Sequence, residues 1–543
     1  MSFSSIINTE YSHLKNLFMP LIIRYVLLII LFLSTGISQT DHDILITNGK
    51  VLDGTGNPWY KTDIAIQGNQ IVAMGELQNH TAKRIIDASG LYIAPGFIDT
   101  HSHAAGGLST QELSAARPQL AQGITTVVVN PDGGGSVDLI RQQEQLTEHG
   151  LGINVAQMVP HGSIRREVIG MDDRAPTRSE LDEMKRLTEE GMKAGAVGMS
   201  TGLFYAPASY SETEEIIELA KIVHQYNGVH QSHIRDESDY TIGVVNAVQE
   251  IIDISEATGI VGIVSHIKAL GPNVWGKSEE IVKLINEARE VKELQIFADQ
   301  YPYEASATGL MAALVPRWAT AGGRSAFLER LDDEETRLSI MVEMEENLAR
   351  RGGANRIVMR HVSFNSEYEG VSLEEIASNR NLTAVEAALE LLKLGSPGIV
   401  SFNMHPDDVE HFMKQPWAMT ASDGGYVEKG DGVPHPRNYG SFPRKIREYV
   451  FERGVNDLAS AIRGMTSLPA TVYRLNDRGL LRPGFKSDIV IFDSQKIRDT
   501  ATFTDPHQLS EGLIYVIVNG VPVIDNEEQT GLLPGEILKR VDR

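Results

Sequence analysis

Between residues 96 and 303, short apolar runs alternate with amphipathic helical stretches, and no other pattern in the 543-residue chain restricts its fold as much. The runs fall at 96–103, 124–130, 153–159, 196–203, 229–233, 261–266 and 296–301. The helical stretches between them include Ser211 to His224, read with a serine cap and an acidic first turn, and 240–258. Strands separated by helices imply a parallel sheet. With an eighth strand expected at 419–422, the count favours an α/β fold of the closed (β/α)8, TIM-like kind over an open sheet. Residues of about 304–415 are then an insertion before the last strand, with a charged helical stretch at 325–351. Helices around 455–461 and 468–475 are expected to close the barrel.

The two ends of the chain have a different character. Asp43 to Thr47 is an apolar run followed by Asn48-Gly49, a hairpin signal, and 63–67 and 70–74 flank a second at Gly68-Asn69. Far downstream, 488–493 and 513–518 with Asn519-Gly520 repeat the pattern. The economical reading is a composite β-sandwich built from 42–95 plus 477–543, flanking a barrel at 96–476. Ahead of it, Arg24 precedes an apolar run at 25–33, and Gly36 and Ser38 follow at the spacing a signal peptidase accepts. The run is short for a membrane span. Residues 1–38 are therefore expected to be a cleaved signal peptide, leaving Gln39 first in a secreted or periplasmic protein with no membrane association.

Charge and cysteine usage narrow the chemistry. A formal net charge of -23 argues against nucleic acid and anionic membrane surfaces as partners, and an anionic substrate would need a local cluster of positive groups. With no cysteine there are no disulfides and no thiolate metal ligands.

In barrels of this kind chemistry sits at the C-terminal ends of the strands. Residues two apart in a strand face the same side, so His101 and His103 project together from the end of the first, with Ser102 turned away. Two neutral imidazoles so placed suit a borderline metal such as zinc. The second strand leads to Asn130-Pro131-Asp132 and three glycines, the third to His161 and Arg165, and the fourth to Tyr205. The fifth ends at His233, followed by Arg235-Asp236-Glu237, and the sixth at His266, with Lys268 two beyond. The seventh gives Tyr301 and Tyr303, and the eighth Asp423. Singly, each histidine has a reading as a hydrogen-bonded core residue, and each aspartate as a cap. Four histidines and two aspartates at the ends of five strands are hard to explain in that way.

Longer motifs carry a resemblance. Gly198-Met-Ser-Thr-Gly-Leu-Phe-Tyr205, Ser232-His-Ile-Arg-Asp-Glu237, Ser265-His-Ile-Lys268, Asp299-Gln-Tyr-Pro-Tyr303, His435-Pro-Arg-Asn-Tyr-Gly440 and Asp477-Arg-Gly-Leu-Leu-Arg-Pro-Gly484 resemble the D-aminoacylase (N-acyl-D-amino-acid deacylase) family of the amidohydrolase superfamily, over nearly all of 42–535. The resemblance implies a metal-dependent enzyme that hydrolyses the linear amide of a small N-acyl-D-amino acid to a carboxylate and a free D-amino acid, with zinc as one or two divalent ions. By analogy His233, His266 and Asp132 hold one position and His101, His103 and Asp423 the other, with Asp423 also passing a proton from water to the leaving amine. One departure is plain. The family commonly has a cysteine ligand in a Gly-Asn-Cys-Gly stretch where this chain has Asn130-Pro131-Asp132-Gly133. Asp132, a harder ligand than thiolate, is expected to take that place, or else to cap the glycine turn. Lys268, Arg165, Tyr205 and Tyr303 are the expected partners of the substrate carboxylate, while His161 is read as either orienting or structural. Two alternatives remain open. A cyclic amidase of hydantoinase or dihydroorotase type would usually carry a carboxylated lysine in the fourth strand, and 196–203 has no lysine. The other is a non-catalytic scaffold descended from a hydrolase.

Overall fold

The computed structural model describes residues 41–540, so the leader expected at 1–38 lies outside the described residues. Eight parallel strands run in order around a barrel: β1 (Phe97–His103), β2 (Ile124–Val129), β3 (Asn154–Pro160), β4 (Gly198–Gly202), β5 (Val229–His233), β6 (Val261–Val264), β7 (Ile296–Gln300) and β8 (Ala418–Thr420). A short strand just past β8, Gly424–Gly425, pairs in parallel with β1 and closes the ring. Each strand has helices outside it and side chains inside it, so both faces are dry. That is why β2 reads Ile-Thr-Thr-Val-Val-Val and is buried throughout. On the outer face, Met199 and Val264 pack with Leu219, Val223, Val248 and Ile251 of the flanking helices.

Two helices start later than expected. The helix placed at Ser211 begins at Thr213, because the Ser211 hydroxyl donates backwards to Ala208 O at 2.6 Å instead of capping. The helix placed at 240 begins at Val244. Before it, the Asp236 carboxylate takes the backbone N–H groups of Ser238, Thr241 and Gly243 at 2.9, 2.6 and 3.1 Å, holding that segment as a loop.

Between β7 and β8 lies a subdomain with its own three-stranded antiparallel sheet, Gly398–Ser401 in the middle and Ser306–Gly309 and Ile357–His361 on either side. Leu314, Phe327, Met344 and Leu389 belong to its separate apolar core. The stretch at 325–351 forms two helices, Gly323–Arg330 and Glu334–Arg350. The break is set by Asp333, which accepts from Thr336 N at 2.9 Å and starts the second.

The chain ends form two further sheets. One consists of Asp41–Thr47, Asp63–Gln67, Gln70–Gly75 and Thr81–Asp87; the other joins Lys50–Val51, Tyr60–Lys61 and Tyr92–Pro95 to Ile489–Phe492, Leu513–Val518, Val521–Asp525 and Glu528–Gln529. Ile44, Ile46, Ile64 and Ile86 meet Ile93, Ile489, Ile491 and Ile517 between them. The turns at Gly68-Asn69 and Asn519-Gly520 join antiparallel neighbours, but Asn48-Gly49 does not. Asn48 has φ 64, so the turn forms, yet it sends the next strand into the other sheet. Gly49 is needed there because a Cβ would lie 2.3 Å from Ile93 Cδ1.

Candidate metal centre

The ends of β1, β2, β5, β6 and β8 bring their polar residues to one mouth of the barrel. Three of them, Asp132, His266 and Asp423, have positive φ (55, 34 and 48°), a region that costs a non-glycine residue of order 1 kcal/mol or more. Each lies just past a strand, where the backbone turns sharply and carries its side chain over the barrel axis. The Asp132 loop is wedged against β4: a Cβ on Gly202 would lie 2.1 Å from Asp132 O.

The donor atoms fall into two groups that share Asp132. His101, His103, Asp132 and Asp423 form one, and Asp132, His233 and His266 the other. Asp132 Oδ1 lies 3.2 Å from His101 Nε2, 3.4 Å from His266 Nε2 and 3.7 Å from His233 Nδ1, while its Oδ2 is 3.4 Å from His103 Nε2. Asp423 Oδ1 stands 3.2 Å from His103 Nε2 and 3.6 Å from His101 Nε2. His101 Nε2, Asp132 Oδ1 and His233 Nε2 are buried and make no hydrogen bond. Buried polar atoms normally find partners; His101 Nε2 and Asp132 Oδ1, 3.2 Å apart, form an orphan pair that a metal ion would satisfy, whereas His233 Nε2 lies toward Glu237 Oε2 at 3.8 Å and it is His233 Nδ1 that faces Asp132. Imidazole and carboxylate donors suit zinc. Asp132 does not cap the glycine turn, which is closed by Gly134 N donating to Pro131 O at 2.9 Å.

Electrostatics fit the same picture. Burial pushes both aspartates up, but their partners outweigh it and hold each well below the usual carboxylate range: His101 first for Asp132, Arg437 first for Asp423.

Other residues fix the donors in place. Asp99, pushed up to about 6 by burial, accepts from Ser422 N and Oγ at 2.8 and 2.5 Å and ties β1 to the Asp423 turn. Asp299 accepts from His266 N at 2.6 Å and from Gln231 Nε2 at 2.8 Å. Glu237 Oε1 lies 3.0 Å from His266 Nδ1 and, with Lys268, fixes the orientation of the ring, while Nε2 faces Asp132. Lys268 donates to Glu237 at 2.5 Å and sits 2.7 Å from His266 Nδ1.

A cavity of about 510 Å³ opens over this cluster, and four basic and three acidic side chains line it, reversing the sign of the chain as a whole. Of the residues expected to meet substrate, Lys268 and Tyr205 line it. Arg165 and His161 do not: both are fully buried against Glu215, with His161 Nε2 2.8 Å from Glu215 Oε1. Tyr303 is also displaced, its hydroxyl turned to Pro436 O at 3.4 Å; Tyr301 lines the cavity in its place, with a buried, unpartnered hydroxyl. Two residues apart would share a face only if β7 continued, and it ends at Gln300.

Sequence reasoning missed Glu237, Tyr301 and Arg437 as members of the site, although all three lie inside the motifs quoted above. Arg437 pairs with Asp423 Oδ2 at 2.7 Å and lies 4.7 Å from the Tyr301 ring centre. Its backbone N–H donates to His435 Nδ1 at 3.0 Å, so the His435 Nε2–H must be the donor to Ala305 O at 2.9 Å. An acidic chain acting on an anion needs buried positive groups, and that requirement could have singled out Arg437. Arg351 and Arg360 of the inserted subdomain also line the cavity, and no local pattern marked them.

Residues 84–524 match the amidohydrolase family. The chain is 31% identical to a D-aminoacylase of Alcaligenes xylosoxydans xylosoxydans, the alignment covering 93% of this chain and 99% of the relative. It is 33% identical to an N-acyl-D-glutamate deacylase of the same organism, over 92% and 97%. The fold superposes with a TM-score of 0.79 on the crystal structure of an N-acyl-D-glutamate deacylase from Bordetella bronchiseptica complexed with zinc and a phosphonate mimic of the tetrahedral intermediate, at 32% identity and covering 92% of this chain and 100% of that one. A D-hydantoinase structure shares the fold at 14% identity and a TM-score of 0.56. Full-length matches at this identity, joined to two histidine–aspartate groups at the mouth of a (β/α)8 barrel, place the chain in the amidohydrolase family.

Proposed function

We propose that this enzyme hydrolyses the amide of N-acyl-D-amino acids, releasing a carboxylic acid and the free D-amino acid, with zinc as its cofactor in one or two positions. The observation that carries the reading is the pair of donor groups sharing Asp132 beneath a locally cationic cavity. His101, His103, Asp132, His233, His266 and Asp423 would hold zinc there, which would acidify bound water and polarise the amide carbonyl. The protein's own groups do the rest. Asp423 is an ionised carboxylate within the cluster; it takes a proton from the attacking water as the C–O bond forms and delivers it to the amine nitrogen as the C–N bond breaks. The Tyr301 and Tyr205 hydroxyls reach the cavity, and burial holds both protonated, so either can donate to the carbonyl oxygen as it gains charge. Arg437 presents its guanidinium to the substrate α-carboxylate, and the Lys268–Glu237 pair steadies His266. A cyclic amidase is disfavoured, since β4 is Gly-Met-Ser-Thr-Gly and supplies no lysine. A screen of the zinc-loaded enzyme against N-acetyl-D- and N-acetyl-L-amino acids tests the reading: release of free D-amino acid with little from the L series is expected, and no turnover of any D substrate would overturn it.

Two further proposals concern the chain as a whole. The apolar run at 25–33 with Gly36 and Ser38 supports cleavage of a signal peptide and a secreted or periplasmic enzyme. Among the described residues no helix is long and apolar enough to cross a membrane. N-terminal sequencing of the protein from its host should begin near Gln39; a soluble cytoplasmic protein with an intact N-terminus would contradict export. The composite sandwich, barrel and insertion are proposed as the units of its architecture, with boundaries near 95, 304, 415 and 477.

A further inference from the structure

Behind β8, the structure buries an amine that the reaction as derived does not use. Met419 faces into the barrel with Ile98, Val128 and Ala156, whereas Ala418 packs with Phe412 and Trp417 outside it. Thr420, two residues on from Ala418, shares that outer facing. Lys445 lies against it, 4% exposed, and donates from Nζ to Thr420 Oγ1 at 2.8 Å. It opens a π-helical stretch, Lys445–Glu452, a rare geometry that often marks functional positions. A cavity of about 290 Å³ is lined by Lys445 together with Met413, Pro416, Ala418, Val455 and Leu468. Gly464 is part of the same wall, and a Cβ there would stand 3.9 Å from Lys445 Nζ.

No carboxylate compensates this amine. Among the described residues Lys445 forms no ion pair, and burial pushes its pKa down to about 8. The other charged residues of the cavity are engaged elsewhere. Asp457 accepts from Ser460 N and Oγ at 2.9 and 2.6 Å, Arg463 donates to Pro416 O at 3.0 Å, and Lys414 stands 3.7 Å from Glu410 Oε2. A desolvated lysine that is partly neutral is a nucleophile. Because Nζ is the donor to Thr420, the lone pair of the neutral amine is left unshared. The apolar walls suit a short uncharged chain, and the volume falls just below the roughly 300–1,000 Å³ of pockets for drug-sized ligands. We propose that Lys445 is a covalent capture site for small aldehydes. Nζ adds to the carbonyl carbon, the carbonyl oxygen leaves as water with the two amine hydrogens, and a C=N bond replaces the C=O bond. No oxidant, reductant or further leaving group is required. The site is independent of the deacylase reading, since none of its residues lines the catalytic cavity.

Reductive trapping tests the proposal. The zinc-loaded full chain is treated near neutral pH with acetaldehyde and cyanoborohydride to low conversion, and ethylation of each lysine is followed by peptide mass spectrometry. Lys445 should react ~10-fold or more faster than exposed lysines such as Lys61 and Lys283, because far more of it is neutral. In urea, where the chain is unfolded, that lead should vanish. Lys445→Met, apolar and of similar length, should melt as a folded protein and lack the fast phase of ethyl incorporation. Labelling of Lys445 no faster than of Lys61 and Lys283 in the folded chain would overturn the proposal. So would a lead that persists in urea, or a fast phase that survives in Lys445→Met.

Discussion

Two clusters of histidine and carboxylate lie at strand ends in this barrel, and their fates differ. Past β3, His161 and Arg165 close on Glu215, whose two carboxylate oxygens both have a donor. Arg165 also donates to the Pro207 and Arg174 carbonyls at 2.9 and 2.5 Å. This cluster leaves one nitrogen, His161 Nδ1, without a partner, and no carboxylate oxygen. At the mouth, by contrast, His101 Nε2 and Asp132 Oδ1 are buried, unpaired and 3.2 Å apart. Burial and charge are common to both. What separates a site from a structural knot is whether the carboxylate has already been satisfied from within the chain.

Removing ligands sharpens the contrast most. His233→Ala and His266→Ala should each lose bound zinc and with it turnover, since each takes a donor from the group around Asp132. Unchanged metal content in both variants, measured by elemental analysis, would break the distinction. Asp423→Asn keeps the shape but removes the proton acceptor. It should retain most metal and lower turnover ~10²–10⁴-fold, the usual range for a general acid–base group. Near-normal turnover would place the base elsewhere.

The smallest effect on chemistry is expected at the sealed cluster. Glu215→Gln strands the buried Arg165 charge and should cost about 3–5 kcal/mol of stability while zinc content is unchanged. The pH dependence has a defined sign. Burial raises the Glu215 carboxyl, but His161 and Arg165 outweigh it and hold it below its ordinary 4.5 in the folded chain. Its stabilisation is therefore present above pH 4.5 and lost as the pH falls through the lower folded value. Melting curves of wild type and variant should converge in acid; a constant gap down the acid limb, or loss of zinc at neutral pH, would show that the cluster is not merely structural.

The same comparison shows what was legible in the sequence. Strand periodicity accounts for the shared facing of His101 and His103 and for His233 at its strand end, because facing within a strand is local, whereas His266 reaches the mouth from a left-handed turn two residues past the end of β6. It could not separate His161 from them: His161 opens a helix after β3, and only packing against the helix Thr213–Gln225 reveals Glu215 as its partner. Tyr301 and not Tyr303 lines the cavity, since the alternation of β7 stops at Gln300 and the path of the chain beyond it is not a strand. Arg351 and Arg360 reach the mouth from an insertion with its own core, so their position depends on how two apolar units dock. The turn at Asn48-Gly49 was recognised, but which sheet would receive the following strand is a tertiary choice.

Asp132 is common to both groups of donors and stands where relatives of the resembling family commonly carry cysteine. Elemental analysis of zinc-loaded wild type, Asp132→Ala and Asp132→Cys, beside thermal melts, tests its role as a ligand directly. Binding should fall sharply in the alanine variant and return in the cysteine variant, with a preference shifted toward zinc because thiolate is the softer donor. Full zinc occupancy in Asp132→Ala, with no more than a lowered melting point, would contradict the account and leave Asp132 as a residue of the turn alone.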